Sequence, residues 1–384
     1  MSVRVDVQGQ LISWARERSG ISLVDLLRRF PKLEEWENDV ASPTLKQLED
    51  YANATHTPLG LLFLDEPPDE PLPLPDFRTI NNQEIRRPSV DLLDTIYECQ
   101  TRQEWYRDHA LVTYKDPVDL VGSATPIASP ARAVSLIRSL LDFGSVRQAS
   151  TWSEALRRLI EQVERLGILV MVNGVVGTNT SRKLNPREFR GFALVDRLAP
   201  LIFVNGADTK AAQVFTVVHE LAHIAGGVSG VSDSSLEDQV ANETERWCNE
   251  VAAELLVPVI MIRDQYRPRV DLTDELDRLA RVFKVSTLVI LRRLRDVGFV
   301  PQSDYGRLYE TELARVMSFV EERSGSDGGN FYATQAVRVG RLFARELLTS
   351  TFEGRTTYRE AFQMLGVRKM STFSEFARRL EVNA

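Results

Sequence analysis

The sequence has few of the features that mark secreted or membrane proteins. Its 384 residues include only two cysteines, Cys99 and Cys248, which cannot form a disulfide framework and suit a reducing compartment. No stretch approaches the roughly 18–20 continuous apolar residues that a membrane helix needs. The first ten residues also lack the basic-then-apolar order of a secretory signal. These absences predict a cytoplasmic protein that does not enter a membrane.

The chain also lacks an excess of positive charge. Lys and Arg number 47 against 54 Asp and Glu, which gives a net charge of −7, so the molecule as a whole offers no basic surface to nucleic acid. The hydrophobic fraction of 43% and the charged fraction of 26% are typical of a globular protein. At this length we expect two or three domains rather than a single core.

Changes in composition predict the domain boundaries. Residues 1–64 have the pattern of short helices. The next thirteen residues, DEPPDEPLPLPDF, contain five prolines and five acidic residues, which cannot pack as a regular element. We therefore predict a linker over residues 65–79. Beyond it we predict a helical connecting region (80–149), a central domain that carries the chemistry (150–300) and a helical C-terminal domain (301–384).

In the central region the hydrophobic period changes. Three short runs rich in β-branched or aromatic residues, at 168–172, 191–195 and 201–204, predict one small, mostly antiparallel three-stranded sheet. A strongly apolar helix should follow over residues 210–225, then a polar loop over 228–235 and a second helix over 236–256. The predicted fold class is therefore α+β and mainly helical.

The motif His219-Glu220-Leu-Ala-His223 lies within the first of these helices. Helix positions i and i+4 stand about 40° apart around the axis and about 6 Å apart along it, so both imidazoles reach one point in space. Two ligands of a tetrahedral Zn²⁺ ion need this arrangement. Glu220 lies beside the first ligand, where a carboxylate can act as the general base of a zinc hydrolase. Two satisfied core histidines are the alternative, but a buried helix makes such polar groups costly.

A catalytic zinc ion usually takes a third protein ligand and keeps one position open. No histidine follows His223 in the sequence, but the next predicted helix carries four glutamates. Of these, Glu245 lies nearest the apolar stripe of that helix, and the others lie on the face expected to meet solvent. The four are Glu243, Glu245, Glu250 and Glu254.

These residues resemble the ImmA/IrrE family of zinc metallopeptidases. The resemblance rests on the run Phe-Val-Asn at 203–205, on HELAH, and on ERWCNEVAAELLVP over residues 245–258. It covers about residues 165–260 and extends towards 300. It implies a zincin-like core, Zn²⁺ as the cofactor, and Glu245 as the third ligand. It also implies cleavage of a partner regulatory protein, typically a repressor or an antitoxin.

Zincin-like geometry further implies that a peptide substrate pairs with an exposed sheet edge through main-chain hydrogen bonds. The candidate edge strands are residues 201–205 and 191–196. On this basis the substrate-binding candidates are Arg190, Gly191 and Asn205. Arg190 would stabilise an oxyanion, with an ordinary surface arginine as the alternative.

Residues 1–64 resemble a repressor-type (XRE) helix-turn-helix domain. The segment that matches the DNA-reading helix, residues 31–39, carries Glu34, Glu35, Glu37 and Asp39 against Lys32 alone. Phosphate attraction supplies much of the affinity for DNA, so these acids disfavour DNA binding, although Arg16, Arg18, Arg28 and Arg29 favour it.

Two classes of function therefore compete. One is a metallopeptidase whose helical domain positions a partner, as in toxin–antitoxin or repressor control. The other is a DNA-binding regulator or antitoxin-like protein with a latent or structural zinc site. Glu220 favours the first, because a structural site needs no general base.

Overall fold

A computed structural model describes residues 3–76, 88–126, 129–232, 243–322 and 331–382. The chain forms two compact units, one of residues 1–73 with 84–96 and one of residues 74–83 with 97–384. The strands are β1 (Leu169–Asn173), β2 (Val175–Val176), β3 (Asn179–Lys183), β4 (Gly191–Leu194), β5 (Leu201–Asn205) and β6 (Gly230–Ser232). The α-helices are α1 (Gly9–Ser19), α2 (Leu23–Arg29), α3 (Leu33–Glu37), α4 (Leu45–Ala54), α5 (Val90–Val112), α6 (Pro130–Leu140), α7 (Phe143–Arg147), α8 (Trp152–Arg165), α9 (Lys210–Gly226), α10 (Glu243–Leu256), α11 (Val259–Gln265), α12 (Leu272–Phe283), α13 (Thr287–Asp296), α14 (Gln302–Glu322), α15 (Phe331–Val339), α16 (Arg341–Phe352), α17 (Tyr358–Leu365) and α18 (Met370–Arg379).

The first unit contains four short helices, α1 to α4, packed around a small apolar core. Thr44 begins α4 with a capping box, in which its side chain accepts from the N–H of Gln47 and the Gln47 side chain accepts from the N–H of Thr44. Tyr51 of α4 donates a hydrogen bond to the carbonyl oxygen of Ile12 in α1 at 2.7 Å. The capping box and the buried, hydrogen-bonded Tyr51 stabilise this short helical region.

The central sheet has four strands in the order β1-β5-β4-β6. Strands β1 and β5 run parallel, whereas β5 with β4 and β4 with β6 run antiparallel. The predicted three-stranded sheet was therefore one strand short. The fourth strand, β6, comprises three residues inside the predicted polar loop, a length at which period-2 alternation gives no usable signal. Strands β2 and β3 form a separate two-stranded ribbon.

The strand order also corrects the predicted substrate edge. Both candidate strands are interior, since β5 lies between β1 and β4 and β4 lies between β5 and β6. The edge strands are β1 and β6, and beyond β6 Asp76 forms an isolated parallel bridge with Val231. Sequence order could not reveal this, because the chain returns from α9 to add β6 outside β4.

Helix α9 packs against β4 and β5 and between the helices α8 and α10. Its side chains are buried from Gln213 to Ala225, as expected for a helix that is apolar on every side. Thr209 caps its N-terminus, and Gly227 ends it in the left-handed conformation. None of the described helices is long and apolar enough to cross a membrane.

The C-terminal helices contact the other edge strand of this sheet. Helix α15 packs against β1. The sequence predicts one helix over residues 334–350. In the structure this helix is interrupted at Gly340, whose φ is +83°. A Cβ atom at Gly340 would lie 2.8 Å from the carbonyl oxygen of Val170, so the close approach to β1 requires glycine. Contacts group residues 301–384 with the central region, and a separate C-terminal domain stays a prediction.

Candidate metal centre

Helix α9 presents two imidazoles and a carboxylate from one buried turn. The Nε2 atoms of His219 and His223 lie 3.2 Å apart. Both rings and the Glu220 side chain are fully buried. The four-residue spacing places the imidazoles on the same helical face, and the packing of α9 against the sheet and two helices encloses them.

Helix α10 brings Glu245 to the same point. Its Oε2 atom lies 3.1 Å from Nε2 of His219, and its Oε1 atom lies 2.9 Å from Nε2 of His223. The candidate donor atoms of these three residues all lie within 4.8 Å of one another. The alternatives on this helix point elsewhere, since Glu243 and Glu250 are exposed and Glu254 pairs with Arg138 and Arg293.

Asn249 contacts the ring of one candidate ligand, His219. This residue was not predicted from the sequence. Its Oδ1 atom lies 3.1 Å from Nδ1 of His219, and Asn249 is buried. An acceptor at Nδ1 keeps the proton there and leaves Nε2 free to coordinate. The available signal was the spacing, because Asn249 follows Glu245 by four residues and so shares its helical face.

Glu220 is accommodated by a glycine in the adjacent strand. A Cβ atom at Gly191 would lie 2.9 Å from Oε1 of Glu220, 2.6 Å from Cγ2 of Thr216 and 2.8 Å from the carbonyl oxygen of Phe203. Gly191 was predicted as a substrate-binding residue. In the structure Gly191 leaves room for the carboxylate, and its contact with substrate stays a prediction.

The other two substrate-binding candidates make contacts within the chain. Asn205 is fully buried, its side-chain N–H donates to the carbonyl oxygen of Phe189, and its Oδ1 atom accepts from the N–H of Ala207. Nε of Arg190 lies 3.7 Å from Oδ2 of Asp208. These contacts tie β5 and the turn after it to the segment before β4. Substrate contact by either residue stays a prediction.

The two buried carboxyl groups, Glu220 and Glu245, differ in the direction in which their pKa values are shifted. Burial raises the pKa of Glu220 to about 8, and the negative charge of Glu245 adds to the shift. Burial also acts to raise the pKa of Glu245, but the two histidines outweigh it and hold that pKa at about 2. Glu245 is therefore charged at neutral pH, and Glu220 has a proton affinity suited to proton transfer.

The two histidines respond to the same neighbours in opposite directions. Burial acts to lower the pKa of His219, but the charge of Glu245 more than offsets it, so the pKa of His219 rises. Burial lowers the pKa of His223. Two imidazoles thus converge on one carboxylate inside the core, and the raised pKa of His219 reflects the pull of that carboxylate on positive charge.

The donor set fits a zinc ion. Two imidazole nitrogens and one carboxylate form one of the ligand sets that catalytic zinc takes. Within the described part of the chain, Oε1 of Glu220 is buried and makes no hydrogen bond. Buried carboxylate oxygens without a hydrogen-bond donor are costly unless a cation meets them.

Comparison with known families bears on the same segment. Residues 163–295 match the family described as Peptidase_M78, IrrE N-terminal-like domain. The matched range contains the HELAH motif and Glu245. It supports the ImmA/IrrE family and a metallopeptidase-type function for the central region, as the sequence predicted. The helix-turn-helix resemblance of residues 1–64 stays a prediction.

Two further comparisons concern the rest of the chain. Residues 339–379 match a domain of unknown function, DUF8813. This range covers the whole of α16, α17 and α18. No curated protein matches the chain.

Proposed function

We propose that the chain is a zinc-dependent endopeptidase that cleaves a partner regulatory protein of the repressor or antitoxin type. The observation that carries the proposal is the convergence of His219, His223 and Glu245 next to the buried Glu220. A structural zinc site has no need of an additional carboxylate held beside its ligands. The match to a peptidase family supports the same reaction class.

Each residue has a distinct role in this proposal. His219, His223 and Glu245 hold the ion, Asn249 orients the His219 ring, and Glu220 accepts and returns a proton. When bound, Zn²⁺ supplies Lewis acidity at this point. Burial raises the pKa of Glu220 to about 8, and the positive charge of a bound Zn²⁺ would lower it towards the neutral range that suits proton transfer.

The substrate class follows from the sheet. A peptide binds a sheet edge through main-chain hydrogen bonds, which require an extended backbone and no particular side chains. In this fold the edge near the histidines is β6, which carries Ser232 next to His223. An extended segment of the partner protein would pair there, in place of the interior strands that the sequence predicted.

The first unit is proposed to position the partner protein. Helix α3 spans only five residues, and its Leu33 and Trp36 are buried in the unit's core. Glu37 pairs with Arg16 at 2.6 Å, and Asp39 accepts from the N–H of Gly9 at 2.7 Å. These acidic groups therefore have structural roles in the unit, and the segment offers no cationic surface to phosphates.

The test measures zinc content and cleavage of the co-encoded partner protein in parallel. Glu220→Gln preserves size and removes the proton acceptor, so zinc content should persist while cleavage falls by at least about a hundredfold. His223→Ala removes a ligand and should lose both. Glu250→Gln, an exposed position on α10, is the matched control and should change neither. Unchanged cleavage by Glu220→Gln would exclude this hydrolytic mechanism, and zinc binding without any cleavage would favour the DNA-binding regulator.

A further inference from the structure

Ser232 is a fully buried residue at the end of β6 that no motif singles out. Its Oγ atom lies 3.3 Å from Nε2 of His223 and 3.4 Å from Oε2 of Glu220. The hydroxyl therefore lies between one metal-binding nitrogen and the proposed general base. In the proposed hydrolysis, the water molecule that attacks the substrate would need the same location.

The distances resemble those between neighbouring donors of one metal ion. Nε2 of His223 lies 3.2 Å from Nε2 of His219 and 2.9 Å from Oε1 of Glu245. Ser232 Oγ, at 3.3 Å from Nε2 of His223, is only slightly farther away. In a tetrahedral site with bonds of about 2.0–2.1 Å, adjacent donor atoms stand about 3.3 Å apart.

The hydrogen-bonding chemistry favours the same interpretation. An imidazole nitrogen that binds a metal carries no proton, so the His223 Nε2 cannot donate to Ser232. The Ser232 hydroxyl can donate its proton to Oε2 of Glu220, which leaves the oxygen lone pairs free to face the ion. Ser232 thus has the chemistry of a fourth ligand supported by the general base.

Strand β6 is held from both sides. On the inner side, the carbonyl oxygen of Ser232 accepts from the N–H of Arg190 at 3.3 Å, and β6 pairs with β4. On the outer side, the N–H of Val231 donates to the carbonyl oxygen of Pro75 at 3.0 Å. The proline-rich segment of the chain thus occupies the edge where a peptide would pair, directly beside Ser232.

We propose that Ser232 Oγ is the fourth ligand of the metal centre, beside two imidazole nitrogens and one carboxylate, and that the pairing of Pro75 and Asp76 with β6 is a self-occupied state of the site. This inference rests on the proposed function for the metal site, and it adds a residue that closes that site. Substrate binding at β6 then requires displacement of the Pro75–Asp76 pairing and movement of Ser232, which frees a position for water.

The test uses a cysteine at this position as a reporter of metal contact. Full-length Ser232→Cys is loaded with Co²⁺, and a sulfur ligand produces an intense thiolate-to-cobalt charge-transfer band in the near ultraviolet. The matched control is Ser229→Cys, three residues earlier, whose native hydroxyl accepts from the N–H of Val195. We expect the band in Ser232→Cys alone. Its absence from a Ser232→Cys protein that binds one Co²⁺ would overturn the proposal.

A second variant separates a ligand from a positioning residue. Ser232→Ala should release zinc to a chelator at least about tenfold more readily than the wild type. It should also increase cleavage of the partner protein, because water can enter the position that Ser232 closes. Unchanged zinc retention together with lower cleavage would show that Ser232 only positions Glu220. If the wild type binds no metal, the proposed function fails as well. If it binds metal but cleaves nothing, the cobalt spectrum still decides the role of Ser232.

Discussion

The metal centre and the first unit both contain clustered carboxylates, but these differ in their exposure to solvent. Glu220 and Glu245 are buried at 0% and 3% exposure, and their pKa values lie on opposite sides of the ordinary range. In the first unit, Glu34 is exposed and Glu35 is half-buried beside Lys32. Burial of a carboxylate against two imidazoles indicates a metal ligand, whereas an exposed acidic residue on a helix indicates little beyond local charge.

The largest expected effect tests whether burial, rather than acidity, defines the site. Glu245→Ala should reduce zinc affinity by at least about a hundredfold, because it removes a ligand that the two histidines hold in its charged form. Glu250→Ala, five residues later on the exposed side of α10, should leave zinc affinity within about twofold. The measurement is competition with a chromogenic chelator. Equal losses in both variants would mean that the helix contributes only general negative charge.

A smaller effect concerns the space around Glu220. Gly191→Ala should destabilise the fold by about 1–3 kcal/mol, because the new Cβ atom meets Thr216, Phe203 and Glu220 within 2.9 Å. It should also reduce cleavage more than zinc binding, because it displaces the base rather than a ligand. Gly306→Ala, in α14 with nothing within 4 Å, should stabilise the fold by about 0.5–1 kcal/mol. Thermal unfolding monitored by circular dichroism distinguishes them, and a neutral Gly191→Ala would contradict the packing argument.

The smallest expected effect lies in the first unit. Glu34→Gln should change the free energy of unfolding by less than about 0.5 kcal/mol, as exposed substitutions usually do. The full-length protein should bind duplex DNA only weakly at physiological salt, and Glu34→Lys should strengthen that binding modestly and equally for all sequences. Fluorescence anisotropy with several duplexes measures both. Tight binding to one sequence by the unmodified chain would reverse the comparison between the two regions.

Local chemistry determined a large part of this protein. The period of a helix alone brings His219 and His223 to one face, and their neighbours in the sequence make that helix buried. Side-chain caps define where several helices begin, among them Thr151 before α8 and Thr209 before α9. The mixed α+β character and the resemblance of the central region to a metallopeptidase family were predictable for the same reason, since each depends on short runs of consecutive residues.

Tertiary structure alone decided which strand forms the edge and what lies against it. Strand β6 is too short to have a period, and its place outside β4 depends on the return of the chain after α9. Ser232 reaches Glu220, Gly191 leaves it room, and Pro75 pairs with Val231 across more than a hundred residues of sequence. These contacts join residues that share no helix or turn, so spacing in the sequence contains no information about them. The position of the two histidines follows from their spacing on one helix. The positions of Ser232, Gly191 and Pro75 around the site follow only from how the strands pack.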